Sequence, residues 1–278
     1  MVVIDNPRSP RVRAVAKLAK KSRRHEAGLF LVEGPQAVRE ALTHRPDGAG
    51  EVFMTDAAMA KHGDIKKLAT AAGVPVEPVP EDVLKQMADT PTPQGVLAVH
   101  QMSTLTLQSA IKESPQLVVI LDQVSDPGNA GTIIRVAVAA GADAVIVTDD
   151  SVDIYNPKVV RSTTGSLFHI PVVRGVSLKK ALNAMNKAGC QVLAADMSGE
   201  PLPVLAQKGV LAKPTAWLFG NEAHGLGDKA LAQADQVVSI PQYGPVESMN
   251  LATAASVCVF QSAFAQHPDG PPVSEADS

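Results

Sequence analysis

Three segments of this chain contain residue types that could bind a small ligand and orient a reacting group. They are 123–135, 221–227 and 242–252, and they are rich in glycine, asparagine, serine and glutamate. Each one directly follows a short apolar run that is typical of a buried strand. Ligands of open parallel sheets bind outside the carboxyl ends of the strands, so we expect the three segments to converge on one pocket.

Several common catalytic motifs are absent from the sequence. The run GNAGTIIR supplies only Gly128 and Gly131, whereas a dinucleotide-binding turn needs G-x-G-x-x-G. No GxxxxGK[ST] phosphate loop, GxSxG nucleophile elbow or HExxH metal motif occurs, and no cluster of histidines and cysteines has metal-ligand spacing. We therefore predict a protein that uses neither a bound metal nor a nucleophilic triad.

The elements that must position these segments alternate between strands and helices. Six apolar runs in the second part of the chain predict strands at 117–122, 144–148, 168–173, 191–196, 216–220 and 237–241. Helical stretches separate most of them, and an alanine-rich helix is predicted from Met249 to Ala265. This alternation predicts a parallel sheet with helices on both faces.

The first hundred residues predict a smaller α/β unit. Its strands are expected at 30–33, 51–55, 74–79 and 96–102, and one helix is expected over 56–72. At roughly 100–200 residues per domain, 278 residues favour two domains, and 45% hydrophobic with 19% charged residues indicates a globular protein. No apolar run approaches the roughly 18 residues of a membrane span, and no signal peptide is evident, so we predict a cytoplasmic protein.

Charge is distributed unevenly along the chain. Residues 1–25 contain eight lysines and arginines against one acidic residue, a net +7, while the remainder has a net −10. A basic arm on an acidic body favours a polyanionic partner. The same arm has Val12, Val15 and Leu18 at helical spacing, so a solvated helix face is an equally good interpretation.

Three motifs together carry a family resemblance. DPGNAGTIIRVAVAAGAD (126–143), LFGNEAHGLGD (218–228) and IPQYGPVESMNLATAASV (240–257) resemble the signature motifs of the SpoU (TrmH) family of RNA ribose 2′-O-methyltransferases, within the SPOUT superfamily. KSRRHEAGLFLVEGPQAVREAL (21–42) and TPQGVLAV (92–99) are similar to the substrate-binding domain, related to ribosomal protein L30e, of many members. The layout is typical of 23S rRNA methyltransferases, including those of the thiostrepton-resistance type.

The resemblance implies an α/β fold with an L30e-like domain followed by an α/β-knot domain, in which the C-terminal segment forms a deep trefoil knot. Together with the pattern of elements, it gives 1–102 as the RNA-binding domain, 103–115 as a linker and 116–266 as the methyltransferase domain, and the acidic, proline-rich composition of 267–278 predicts a disordered tail. It also implies a homodimer with the active site at the interface, in which the helix from Met249 packs against the partner chain.

The resemblance also implies a role for particular residues. The catalytic constellation would be Asn129, Arg135, Glu222, Ser248 and Asn250. The cofactor S-adenosylmethionine would be bound by Gly220, Asn221, Ile240, Met249 and Leu251. RNA would be contacted by Arg23, Arg24, His25 and Arg161, without a metal ion, DNA or a membrane as partner.

The implied reaction is attack by a ribose 2′-hydroxyl on the methyl carbon of a sulfonium. The family mechanism gives Arg135 the task of activating the hydroxyl, but a guanidinium stays protonated up to a pH of about 12. A clamp on the RNA phosphate that also stabilises the developing oxyanion suits this residue better. Glu222, Ser248 and Asn250 would hold the loops, although Glu222 could also be a structural helix cap.

One departure and two alternatives accompany this interpretation. Ala223 stands where much of the family has glycine, and we expect a loop whose backbone accepts alanine there, with His224 adding a contact. The resemblance implies ribosomal RNA as the substrate, with transfer RNA as the alternative substrate. A non-catalytic dimeric RNA-binding protein is the alternative from a different functional class, and it would not bind the methyl donor.

Overall fold

The computed structural model describes residues 4–246 and 248–270. Two compact units are distinguished by their internal contacts. The first contains the residues up to 104 together with 130–135 and 152–169, and the second contains 105–129, 136–151 and the residues from 170 onward. This division follows packing rather than motifs, so the family-based limits 1–102 and 116–266 stay a prediction. Residues 271–278 of the predicted disordered tail lie outside the described part.

The described residues contain ten strands and thirteen α-helices. The strands are β1 (Leu29–Glu33), β2 (Ala49–Met54), β3 (Val76–Pro78), β4 (Val96–Gln101), β5 (Leu117–Leu121), β6 (Ala144–Thr148), β7 (Val172–Val176), β8 (Gln191–Pro201), β9 (Thr215–Phe219) and β10 (Gln236–Ser239). The helices are α1 (Pro10–Lys17), α2 (Lys21–Ala27), α3 (Pro35–His44), α4 (Asp56–Lys61), α5 (Gly63–Ala71), α6 (Glu81–Met87), α7 (Leu107–Ala110), α8 (Pro127–Ala139), α9 (Pro157–Thr163), α10 (Leu178–Lys187), α11 (Leu202–Gln207), α12 (Asp228–Leu231) and α13 (Leu251–Gln266). Short 3-10 turns lie at Pro46–Gly48, Ser166–Phe168 and Val210–Ala212.

The first unit is built on a mixed four-stranded sheet of order β1-β4-β2-β3. Strand β4 runs antiparallel to β1 and β2, while β3 is parallel to β2. Val12 and Val15 of α1 and its C-cap residue Leu18 are buried with Leu31 and Phe53 in the core of this unit. Helix formation in the basic arm is therefore coupled to burial of this apolar stripe.

The second unit is built on a six-stranded sheet of order β10-β8-β9-β5-β6-β7, with every pair parallel. Strands β5, β6 and β9 are buried along their whole length. Parallel strands that are covered on both faces have continuous apolar sequences, and LVVIL and AVIVT are of this kind. The sequence-based prediction of a parallel α/β domain is confirmed.

Some predicted elements were wrong in their limits. The single helix expected over 56–72 is divided into α4 and α5, because the backbone leaves the helical region at His62 (φ −122°, ψ 49°). The strand expected at 168–173 begins only at Val172, because Ser166–Phe168 is a 3-10 turn. Strand β8 continues to Pro201, five residues beyond the run that predicted it.

Helix α13 begins two residues later than predicted, at Leu251, because Asn250 is its N-cap. Its buried residues include Ala255, Cys258 and Val259, whereas Phe264 on another side is 63% exposed. Although α13 is apolar, none of the helices in the described residues has the length and apolar character that crossing a membrane would require.

Candidate functional site

Two of the three candidate segments start at adjacent strands of the second unit. Strands β5 and β9 are parallel neighbours, with Leu121 aligned to Phe219, and both chains leave the sheet at the same edge. The backbone N–H of Asp122 donates to the carbonyl of Phe219 at 2.8 Å, which extends the pairing beyond the strand ends. The sheet therefore places the segments after β5 and β9 beside each other, as the strand order of a parallel sheet requires.

The carboxylate of Glu222 joins these two segments. One oxygen, Oε2, accepts from the backbone N–H of Ser125 at 3.0 Å and from its hydroxyl at 2.9 Å. The other, Oε1, accepts from the backbone N–H of Asp126 at 3.0 Å and from the side-chain amide of Asn129 at 3.2 Å. Glu222 is thus a four-fold acceptor that fixes the start of α8 to the segment after β9.

This environment changes the acidity of Glu222. Desolvation raises the pKa of the carboxyl, but the hydrogen bonds from the backbone N–H groups of Ser125 and Asp126, with that from Asn129, together outweigh it. The net effect lowers the pKa of Glu222 to about 2. The side chain is therefore a carboxylate throughout the neutral range, which suits an anchor or a partner for positive charge and not a general acid.

Asn250 brings the third segment to the same place. Its side-chain amide donates to Oδ1 of Asn129 at 3.0 Å, and its own Oδ1 accepts from the backbone N–H groups of Ala252 and Thr253 at the start of α13. A polar chain therefore runs from Asn250 through Asn129 to Glu222. We call these three residues the loop-joining chain. The expected convergence of the three segments on one place follows directly from these bonds.

Asn221 shapes the turn after β9. Its side-chain amide donates to the carbonyl of Gln123 at 2.8 Å, and its Oδ1 accepts from the backbone N–H groups of Ala223 and His224. The left-handed position in this turn belongs to Gly225, with φ +65°. Among the described residues, the non-glycine positions with positive φ are Gln123 and Thr164, so the backbone at Ala223 accepts alanine as expected.

Gly220 is required by the turn itself. A Cβ at this position would lie 2.5 Å from the backbone carbon and oxygen of Gly225 and 2.7 Å from the nitrogen of Leu226. The turn is closed by paired backbone hydrogen bonds between Asn221 and Gly225. The expected contact of Gly220 with a cofactor stays a prediction, but its glycine is already explained by this close approach of two backbones.

Gly220→Ala should therefore destabilise the protein by about 1–3 kcal/mol, because neither backbone can give way without opening the turn. Urea unfolding of the purified variant measures this effect. Gly244→Ala is the matched control, because a Cβ at Gly244 meets nothing within 4 Å. A Gly220→Ala protein as stable as the control would contradict the packing argument.

Glu222→Gln should cost about 1 kcal/mol of unfolding free energy at pH 7, since Glu222 is exposed and solvent reduces the value of its charged bonds. A carboxyl whose pKa is lowered on folding contributes stability above its ordinary pKa near 4.5, and loses it as the pH falls towards 2.

The difference between wild type and Glu222→Gln should therefore shrink when urea unfolding is measured at pH 3 instead of pH 7. Glu200→Gln is the control, because Glu200 pairs with Lys208 at the surface and solvent screens this pair. A difference that stays constant with pH, or an equal effect in the control, would count against the anchoring role.

The remaining predicted catalytic residues have few contacts. Arg135 lies on α8 six residues beyond Asn129; it is exposed, and within the described part of the chain its guanidinium has no partner. Ser248 is also exposed. The predicted cofactor residues Ile240 and Leu251 are half-buried, one immediately after β10 and the other at the start of α13, and Met249 is 37% exposed. The structure thus brings Asn129, Glu222 and Asn250 into one bonded group and leaves Arg135 and Ser248 outside it.

The predicted RNA-contacting residues differ in their accessibility. Arg24 is 1% exposed, and its guanidinium donates to both Asp153 and the carbonyls of Leu18 and Ala19. This buried position does not fit the predicted phosphate contact, because all three guanidinium nitrogens already donate to groups inside the first unit. The side chain of the neighbouring Arg23 is 51% exposed, and it pairs with Glu26.

The other two predicted RNA-contacting residues are accessible. The side chain of His25 is 42% exposed, and its Nε2 lies 3.8 Å from Asp153. Arg161 is half-buried, and its guanidinium bridges Glu33 at 2.9 Å and Asp89 at 3.0 Å. An RNA phosphate at Arg161 would therefore compete with two carboxylates of the protein.

Three residues of the site were missed in the sequence. Ser125 and Asp126 donate to Glu222, and Gln123 provides the carbonyl that Asn221 binds. Asp126 had a recognisable signal, because an aspartate before a proline is typical of a helix start, and its side chain caps α8 by accepting from the N–H of Asn129. Gln123 had none, because its left-handed backbone (φ 57°) is set by tertiary bonds.

Both cysteines are unsuited to nucleophilic chemistry. Cys190 and Cys258 are buried and free. Desolvation raises the pKa of Cys190 to about 11, with a smaller contribution from Asp143, and raises the pKa of Cys258 to about 12. Both thiols are neutral at physiological pH, and a neutral thiol is a poor nucleophile.

Comparison with protein families gives two matches that together span most of the chain. The model described as the SpoU rRNA Methylase family matches residues 116–260, which include the whole loop-joining chain. The model described as RNA 2′-O ribose methyltransferase substrate binding matches residues 31–105.

Individual relatives agree with these matches. The 23S rRNA (guanosine(2553)-2′-O)-methyltransferase RlmP of Bacillus subtilis is 34% identical over 94% of this chain and 98% of that protein. The structure of an AdoMet-bound rRNA methyltransferase from Sinorhizobium meliloti has a TM-score of 0.79 at 29% identity, and covers 93% of this chain and 96% of that one. The SpoU methyltransferase AviRb from Streptomyces viridochromogenes, in complex with AdoMet, has a TM-score of 0.80 at 29% identity, with 94% and 100% coverage.

Proposed function

The chain belongs to the SpoU rRNA methylase family and is an RNA 2′-O-ribose methyltransferase, and from that premise we propose that it methylates a ribose 2′-hydroxyl of 23S rRNA with S-adenosylmethionine as donor. The observation that carries this proposal is the loop-joining chain, which unites all three family motifs at one edge of the parallel sheet. Relatives that span nearly the whole chain act on 23S rRNA, which favours this substrate over transfer RNA. A ribosomal RNA substrate would place the reaction in the cytoplasm.

The residues after β10 are suited to the methyl donor. Val246 is 62% and Met249 is 37% exposed, so apolar surface is available for an adenine ring, and backbone groups near Ile240 and Leu251 are available for its polar edge. When bound there, S-adenosylmethionine supplies an electrophilic methyl group on a sulfonium. Asn221 and Gly220 hold the turn after β9 in the shape that borders this segment, since their bonds and close contacts fix that turn.

Arg135 is the proposed catalytic residue. Its guanidinium is exposed and unpaired within the described part of the chain, so its five N–H donors are available to a phosphate and to an oxyanion. As the 2′-hydroxyl attacks the methyl carbon, its proton would pass to water, and the carbon–sulfur bond would break to leave a neutral thioether. Negative charge develops on the oxygen as the proton departs, and the guanidinium of Arg135 stabilises this charge and orients the nucleophile through its N–H donors.

The loop-joining chain and Ser248 have positioning roles in this proposal. Glu222 holds the first turn of α8, and Asn250 holds the start of α13. These bonds keep the two helix starts in a fixed geometry. Ser248 lies next to that anchored region and is exposed, so its hydroxyl is free to reach the ribose. Precise placement of the nucleophile is worth several orders of magnitude in rate, which explains the density of bonds here.

A dimer is supported by one feature of helix α8 and one feature of helix α13. Ideal helix geometry puts Arg135 about 120° around α8 from Asn129, so one site need not use both residues of the same chain. Helix α13 presents Val257, Phe260 and Phe264 on a stripe away from its buried side, and Phe264 is 63% exposed. Such an apolar stripe fits the same stripe of a second copy, which would complete the site with the partner's arginine.

Phe264→Glu should convert the dimer to a monomer, because a charge in an apolar interface is not compensated. Light scattering coupled to size-exclusion chromatography measures the mass, and methyl transfer should fall at least about tenfold with the loss of the composite site. Phe264→Leu keeps the apolar contact and should remain dimeric and active. A monomeric Phe264→Glu protein with full activity would rule out a shared site.

RNA contacts are proposed for the exposed basic residues of the first unit. Arg23 and His25 on α2 are accessible, and Arg161 can exchange its carboxylate partners for a phosphate. Such contacts position an RNA without reading its sequence. Binding through them should weaken steeply with salt, because phosphate contacts release counterions.

The test combines donor binding with mapped methylation. Calorimetric titration with S-adenosylhomocysteine should give about one site per chain. Unmodified 23S rRNA, 16S rRNA and transfer RNA transcripts are then incubated with the protein and radiolabelled S-adenosylmethionine. We expect one methyl group per 23S transcript, on a ribose whose 3′ phosphodiester becomes resistant to alkali. Donor binding with methylation only of transfer RNA or of a base would overturn the proposed substrate, and absence of donor binding would overturn the proposed site.

A further inference from the structure

Two histidines and a glutamate form a cluster in the first unit, away from the loop-joining chain. Glu40 and His44 lie one turn apart on α3, and His169 directly follows the 3-10 turn Ser166–Phe168. Nε2 of His169 lies 2.7 Å from Oε2 of Glu40, and Nε2 of His44 lies 3.4 Å from the same oxygen. The two imidazole rings are 3.9 Å apart between centroids. One potential ligand atom from each residue lies within 4.8 Å of the others.

The elements that carry these side chains are fixed by packing. Helix α3 is held by its buried residues Ala37, Val38, Ala41 and Leu42. His169 follows Phe168, which is buried, stacks with Phe30 at 6.4 Å and makes a tilted contact with His100 at 5.1 Å between ring centroids. The core of the unit therefore positions the elements that carry the three groups, in addition to the bonds between the groups themselves.

The surroundings of Glu40 add a second layer to the cluster. Its other oxygen, Oε1, accepts from the side-chain amide of Gln36 at 2.6 Å. Gly165, with φ +98°, lets the chain pass directly over the glutamate, because a Cβ there would lie 2.4 Å from Cγ of Glu40. Orientation of a ligating carboxylate by a second-layer hydrogen bond is typical of metal sites.

We propose that Glu40, His44 and His169 form a zinc site. Two imidazole nitrogens and one carboxylate oxygen are a ligand set that zinc accepts, with a fourth position left for water. Ligands at about 2.0–2.1 Å in a tetrahedron are roughly 3.3 Å apart, so the contacts of 2.7 Å and 3.4 Å need only small side-chain shifts. The nitrogen donors favour zinc over magnesium and calcium, which prefer oxygen ligands.

The cluster is accessible to an ion from solvent. The side chains of His44 and His169 are 40% and 33% exposed, and that of Glu40 is 21% exposed. The bound ion would tie α3 to the segment that follows α9, the helix on which Arg161 lies. Its role would be to stiffen this part of the first unit, and the proposal stands independently of the methyl-transfer reaction.

The sequence does not indicate this metal site, because its three ligands do not lie at the short spacing of a metal-binding motif. Glu40 and His44 give the i, i+4 half of a site, which is common on helices and carries little information alone. The third ligand lies far along the chain, in a segment whose predicted strand proved to be a turn.

The test is calorimetric titration of untagged, chelator-treated protein with ZnCl₂, with MgCl₂ as comparison. We expect one Zn²⁺ per chain, no detectable Mg²⁺ binding, and a rise in the thermal unfolding midpoint with Zn²⁺. His44→Gln and His169→Gln should each weaken Zn²⁺ binding at least about tenfold, because each removes a ligand. His267→Gln is the control, since His267 is exposed at the end of α13.

Two measurements make the result decisive. Circular dichroism and the unfolding midpoint without metal should be alike in all variants, so that lost binding is not lost folding. In Co²⁺-loaded protein, the visible bands of a nitrogen-ligated ion should disappear in His169→Gln. Absence of Zn²⁺ binding, or binding that is unchanged in both cluster variants, or an equal loss in His267→Gln, would overturn the proposal.

Discussion

Arg135→Ala should lower kcat for methyl transfer by about 10²- to 10³-fold, the usual effect of removing one group that stabilises a developing oxyanion. Donor affinity, measured with S-adenosylhomocysteine, should change by less than about twofold. The reason is that Arg135 is exposed and has no partner in the described residues, so its removal leaves the fold and the loop-joining chain intact.

The variant Arg135→Lys tests whether the positive charge alone is sufficient or whether the planar guanidinium is needed. A lysine keeps the positive charge but cannot form the bidentate fork with a phosphate, so we expect activity between those of the alanine variant and wild type. Arg39→Ala is the matched control, because this arginine pairs with Asp64 at the surface. Full activity of Arg135→Ala, or a loss of donor binding as large as the loss in kcat, would remove Arg135 from the catalytic step.

Arg24→Ala should destabilise the protein by about 3–5 kcal/mol, because it leaves the carboxylate of Asp153 buried without its partner. The side chains of the two residues are 1% and 6% exposed, so water cannot replace the lost bonds. Urea unfolding measures the loss, and hydrogen exchange should show it in α2 and in residues 152–169, which belong to the same unit.

Arg23→Ala provides the contrast within the same basic run. Its side chain is half exposed and pairs with Glu26 three residues away, a contact that is worth less than about 0.5 kcal/mol. The pattern expected is therefore large loss of stability at Arg24 and weakened RNA binding with little loss of stability at Arg23. An Arg24→Ala protein that is stable but binds RNA poorly would restore the phosphate contact first predicted for it.

The fold was predictable where burial is continuous along the sequence. Strands such as β5 and β6 are apolar throughout because helices cover both faces, and that property is local. The extension of β8 to Pro201 was not predictable, because its polar residues pair with β10 across a register shift between Val237 and Val238. A pairing of that kind depends on a partner strand about forty residues away, and nothing in the polar run indicates it.

The residues of the site were predictable where they belong to motifs that resemble those of a known family. Asn129, Glu222 and Asn250 were identified through the family resemblance, while the bonds that connect them required the structure. Arg24 shows the opposite case. Within a run of basic residues each side chain looks solvated, and only the distant Asp153 determines which one turns inward.

The beginning of α8 has a consequence for the binding of small anions. A helix start normally attracts anions, but here the carboxylates of Glu222 and Asp126 already accept from its N–H groups. Two side chains of the protein therefore occupy the place that a free phosphate or sulfate would otherwise take, and we expect neither ion to bind at this helix start.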